Sequence, residues 1–142
     1  MSPDKTKLKA IKEKIENYDM LLKMFKMEIL DYREGYSKVK MEIKENHTNA
    51  AGVCHGGVIF SLADVAFALA SNSHGTVALA IEGNISFIGA VKPGTTITAI
   101  CTEKHLGRST GIYITEIFDN KNKLISLMKA TAFRFEKSLL NQ

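Results

Sequence analysis

The sequence has 142 residues, of which 45% are hydrophobic and 24% charged, with a formal net charge of +4. That length fits one domain, residues 1–142, with a real core, and the composition excludes a disordered, collagenous or disulfide-stapled chain. No apolar run is long enough to span a bilayer, because Ser61, Asp64, Ser71 and Asn72 interrupt the best candidate, so no membrane partner is expected.

The opening segment, MSPDKTKLKAIKEKIENYD, is too charged for a secretory signal, which makes the cytoplasm the default location. The sequons at Asn46 and Asn84 therefore carry no glycosylation reading. Much of the basic excess lies in this first part of the chain and suits an anionic partner. Signs alternate at Lys12, Glu13, Lys14 and Glu16, however, as on a solvated helix face. Leu8, Ile11, Ile15, Tyr18, Leu22 and Phe25 recur at spacings of three and four, which predicts one amphipathic helix over about residues 5–29 of an amino-terminal helical segment, 1–30. The six methionines, three of them at 20, 24 and 27, read as core filler.

Asp31 to Lys44 switches to strand-like alternation around Val39, Met41 and Ile43, with Gly35 in a turn. A polar and small-residue loop, 46–52, leads into the central helix, residues 55–75, closed by Gly75. Beyond it come an apolar and β-branched strand over 76–88, a Lys92-Pro93-Gly94 turn and an alternating strand over 95–102. A turn over 105–108, a strand over 111–118, a second turn over 119–123 and a last strand over 124–135 complete the chain. The pattern is α+β, with a helix laid on an antiparallel sheet.

The central helix carries the chemistry. Gly57, Ser61, Asp64, Ala68 and Ser71 form one stripe of small and polar residues, while Val58, Ile59, Phe60, Leu62, Val65, Phe67 and Leu69 cover the rest. Asp64 therefore either ties down a neighbouring loop through backbone N–H groups or lines a cleft, since an uncompensated buried carboxylate is costly. Gly56-Gly57 is either a plain turn or a helix start whose free N–H groups suit a developing oxyanion. Gly56 and Asp64 are eight residues apart, roughly 12 Å of helix, so one helix cannot easily aim both at one carbonyl. Two antiparallel copies can, which points to a dimer with composite sites.

Other constellations carry less. Cys54 and Cys101 form neither a disulfide framework nor a zinc pattern, and Cys54 beside His55 lacks the arrangement of an activated thiol. The histidines at 47, 55, 74 and 105 have no metal-ligand spacing, so no metal is expected. His74 falls in the last turn of the central helix, where a proton suits the dipole. Aromatic residues, 8% of the chain, are too few for a stacking surface, which argues against nucleic acid.

The stretch NAAGVCHGGVIFSLADVAFALASNSHG, residues 49–75, resembles the signature of the hotdog-fold acyl-CoA thioesterases, in particular their phenylacetate-degradation (PaaI-like) branch. The resemblance extends to GNISFIGAVKPGTTITA, HLGRSTGIYITEIFD and the final strand. It implies a hotdog fold, a long helix wrapped by a curved antiparallel sheet, in dimers that pair again into dimers of dimers. It also implies hydrolysis of an acyl-CoA thioester, of an aryl or medium-chain acyl group. Asp64 would be general base or nucleophile and the Gly56 N–H the oxyanion donor. His55 would shape the turn and touch the thioester, and Asn49 would position water or the carbonyl. CoA would run along Gly57 and Phe87 to Lys92, and along His105 to Thr110, which includes Gly107, Arg108, Ser109 and Thr110. Lys92 and Arg108 suit phosphates on charge grounds as well. No cofactor is implied, CoA being part of the substrate. A hotdog protein that binds acyl-CoA without turnover is the alternative. The lysine-rich amino-terminal segment is longer than the minimal fold requires.

Overall fold

The structure, a computed structural model, describes residues 5–141. Helix α1 spans Lys5–Tyr18 and α2 Met20–Met24, followed by strands β1, Glu28–Arg33, and β2, Tyr36–Glu42. A one-turn helix at Glu45–His47 precedes α3, Gly56–Asn72. Strands β3, Thr76–Phe87, β4, Thr96–Leu106, β5, Thr110–Phe118, and β6, Leu124–Ser138, complete the element order.

The strands form one sheet in the order β1-β2-β4-β5-β6-β3, every neighbouring pair antiparallel. Alternation explains the burial: Val39 and Met41, Ile97, Ala99 and Cys101, Tyr113 and Ile117, and Met128, Ala130 and Ala132 all turn inward. Against them lies the apolar side of α3, with Leu62, Ala66 and Leu69 fully buried. Register shifts in β1, β3, β4 and β6 are the bulges that let such a sheet bend around a helix. This is the α+β hotdog arrangement, a long helix wrapped by an antiparallel sheet.

Three sequence expectations need correction. From residue 5, the first described, the amino-terminal segment is two helices and a strand, not one helix to residue 29; its residues 1–4 lie outside the described residues. Asp19 breaks it: its backbone is extended and its Oδ1 accepts the Leu22 N–H at 3.1 Å, so it caps a new helix. Lys26, at φ 51°, then ends α2 before β1 begins. In that segment Met27 is core, but Met20 and Met24 are exposed. The central helix runs 56–72, with His55 and Ser73 as its flanking residues, and Gly75 lies just past the cap at φ 94°. Finally, β4 continues through His105 and Leu106, so the turn before β5 is confined to 107–109.

Strand β3 is the sheet's last strand on its side, paired with β6 on one edge only. It is long for an edge, and Leu79 and Ile81 stand 58% and 60% exposed on it.

Candidate active site

The loop before α3 is tied down by short backbone bonds. Asn49 Oδ1 accepts the N–H groups of Ala51 and Val53, at 3.0 and 3.3 Å, which closes the 49–53 loop. Its side-chain oxygen is thus engaged with the loop. The Cys54 N–H donates to Val91 O and the His55 N–H to His47 O, which fixes the approach to the helix.

His55 takes the cap position with an extended ψ of 139° but makes no side-chain cap. The Gly56 and Gly57 N–H groups find no acceptor among the described residues. The helix thus starts with two free donors and the positive end of its dipole. Space is tight at 56: a Cβ there would stand 3.0 Å from the edge of the Phe87 ring, which would have to give way slightly. At Gly57 nothing lies within 4 Å, so that position opens outward.

Beside these donors is a cleft of about 360 Å³. Val53, Cys54, Ile59, Phe87 and Ile88 give it a mostly apolar lining. Phe87 is half exposed at the end of β3. Cys54 reaches the cleft, but burial pushes its thiol up to about 11, so it is no thiolate nucleophile. Lys92 is exposed in the turn that follows, closed by the Thr95 N–H on its carbonyl at 3.2 Å.

Asp64 lies half-buried two turns further along α3. Its carboxylate makes no hydrogen bond or ion pair among the described residues, so it does not tie down a loop. Burial raises its pKa above the ordinary carboxylate value, and the negative charge of Asp19 raises it further. The small stripe is open around it: Gly57 is exposed, Ser61 and Ala68 are partly so, and only Ser71 is buried. Phe60, expected on the apolar face, is 36% exposed along this side, with the edge of its ring facing Gly83 of β3. Asp19 had no place in the sequence reading, because an unbroken apolar period hid the cap that brings it near Asp64.

The remaining site residues lie elsewhere. Gly107 to Thr110 turn between β4 and β5, where Thr110 faces Phe133 and Phe133 faces Leu79 of β3. Phe87, beside Gly56, is eight residues from Leu79 on the same strand, on the order of 26 Å away. In a single chain, then, His55, Gly56, Gly57 and Phe87 form one cluster, and Gly107, Arg108, Ser109 and Thr110 another at the opposite end of β3. Arg134, absent from the sequence reading, bonds this second turn. Among the described residues no three His, Cys, Asp or Glu side chains are grouped as a metal site. No described helix is long and apolar enough to cross a membrane.

Residues 51–126 match the thioesterase superfamily. The chain is 47% identical over 127 residues to a putative esterase of Archaeoglobus fulgidus, covering 89% of this chain and 82% of that one. It is 36% identical over 116 residues to the acyl-coenzyme A thioesterase PaaI of Escherichia coli, covering 82% and 83%. The structure of the E. coli PaaI protein superimposes with a TM-score of 0.91, covering 94% of this chain and 96% of that one. A Streptococcus mutans protein bound to acetyl CoA, 25% identical, superimposes with a TM-score of 0.77 over 79% and 90% of the two chains.

Proposed function

The chain belongs to the thioesterase superfamily as a PaaI-like thioester hydrolase, and from that premise we propose how it cleaves acyl-CoA and with which residues. Asp64 takes a proton from water, the water oxygen attacks the thioester carbonyl, and the Gly56 N–H receives the developing oxyanion. Collapse breaks the C–S bond, releasing the free acid and the CoA thiolate, to which the proton passes. A thiolate is a far better leaving group than an alkoxide, so no separate general acid is required. A base with a raised pKa is better matched to work near neutrality than an ordinary carboxylate. Direct attack by the Asp64 carboxylate, with hydrolysis of the resulting anhydride, uses the same geometry.

One observation carries this reading. A half-buried carboxylate with no structural bond stands on the open face of the helix whose glycine start offers free donors over an apolar cleft. The spatial split of the site residues supports a composite site. An antiparallel second copy along the bare edge of β3 brings its Asp64, and its Gly107–Thr110 turn, beside this chain's Gly56 and Phe87. Lys92 of one copy and Arg108 of the other then serve the CoA phosphates, with His55 holding the turn. The cleft, about 360 Å³, lies at the small end for ligand sites and suits a single-ring aryl or medium-chain acyl group.

Free-thiol release from a panel of aryl and straight-chain acyl-CoAs tests the assignment. Asp64→Asn should lower kcat by about 10²–10⁴ while CoA affinity stays within a few fold. Turnover retained in the variant would remove Asp64 from the chemistry.

A further inference from the structure

Arg134 sits on β6 one residue past Phe133, which faces Thr110 where β5 begins, and it lies opposite Ala78 of β3. Its backbone N–H donates to Ser109 O at 2.7 Å, extending the ladder by one bond into the turn. Its Nη1 donates to Gly107 O at 2.8 Å, so one residue holds two carbonyls of that four-residue segment. Gly107 itself donates to Thr110 O at 2.7 Å and closes the turn.

Two consequences follow from these bonds. A trans peptide sets each carbonyl opposite the next N–H, and no described peptide is cis. Turning Gly107 O towards Arg134 therefore turns the Arg108 N–H away, and that N–H has no acceptor among the described residues. The Arg134 charge also has no carboxylate within ion-pair distance among the described residues, and its Nε is buried without a partner. The turn thus presents an outward N–H and the exposed Arg108 side chain, backed by an uncompensated cation.

We infer that Arg134 is a positioning residue for the nucleotide end of acyl-CoA, holding the Gly107–Thr110 turn in the form that receives phosphate. This rests on the reading of that turn as part of the CoA site. Arg108 makes the contact, and Arg134 fixes where Arg108 and its N–H stand.

The test compares an acyl-CoA with the N-acetylcysteamine thioester of the same acid, which lacks the nucleotide and its phosphates. Arg134→Met keeps the length of the side chain and removes its charge and donors. KM for acyl-CoA should rise about tenfold with kcat within twofold, and KM for the truncated thioester should not move. Arg134→Lys, which keeps the charge, should recover part of the loss. Equal changes on both substrates, or no change on acyl-CoA, would overturn the inference. Should the wild type hydrolyse neither compound, the proposed function falls, and calorimetric binding of CoA decides this point separately. About tenfold weaker binding by Arg134→Met would uphold it, and equal binding would end it.

Discussion

At its carboxy end α3 gives four backbone carbonyls to side-chain donors: Ala66 to Ser37, Ala68 to Asn72, Leu69 to Tyr32 and Ala70 to Ser73. Asn72 also clamps Ala78 through both its N–H and its carbonyl, and Ser73 Oγ accepts the Gly35 N–H at 2.7 Å. His74, just past the helix rather than in its last turn, bridges Glu34 and Glu103. At its amino end the same helix has no side-chain cap, two glycine N–H groups with no acceptor among the described residues, and a cleft beside them. Saturated ends of this kind fix an element in place. An end left short of partners keeps its donors for something that comes and goes, and the unbonded Asp64 lies on the open face that leads from it.

Substitutions at the two ends should separate activity from stability. Gly56 is the first helical residue, where proline is tolerated, and the extended backbone of His55 is what a proline requires before it. Gly56→Pro therefore deletes the donor with little harm to the helix and should lower kcat by about 10²–10³. Gly56→Ala crowds Phe87 equally at Cβ but keeps the N–H, and should lose far less. A large equal loss in both would mean that the ring, not the donor, matters. Mixing and refolding Gly56→Pro with Asp64→Asn should restore about a quarter of wild-type turnover, because each mixed dimer holds one intact composite site. No recovery would place Asp64 and Gly56 of a single chain in one site. The mirror experiment is Asn72→Ala, which leaves the buried N–H and carbonyl of Ala78 unpaired. Denaturant unfolding should show a loss of about 2–3 kcal/mol, with kcat unchanged where the protein is folded. A fall in kcat there would break the division between the ends.

Much of this was legible in the sequence because it is local. The stripe from Gly57 to Ser71, the glycine start and the hairpin turns are written in spacings of two to four residues. What was hidden depends on register between distant strands. No single strand reveals that Thr110 and Phe87 belong to opposite ends of β3, since that follows from Thr110 facing Phe133 and Phe133 facing Leu79. Arg134 was invisible for the same reason: its bonds to Gly107 and Ser109 cross between strands. Asp19 was missed because the apolar period runs unbroken across it, and a cap within a continuing period has no periodic signature.

Asp19 gives the smallest effect and the one most specific to the open face of the helix. Its charge stands second to burial among the causes that raise the Asp64 pKa. Asp19→Asn removes that charge while its side-chain oxygen still caps α2, so the helix should stay in place. Turnover requires ionised Asp64, so kcat/KM falls as pH drops through the pKa of that group. With the repulsion gone, ionisation persists to lower pH, and the acid limb of the profile should move downward. It should stop short of an ordinary carboxylate, because burial remains, and the alkaline plateau should keep its height. An acid limb that stays put or moves upward would assign the limb to another group and separate Asp64 from the proton transfer.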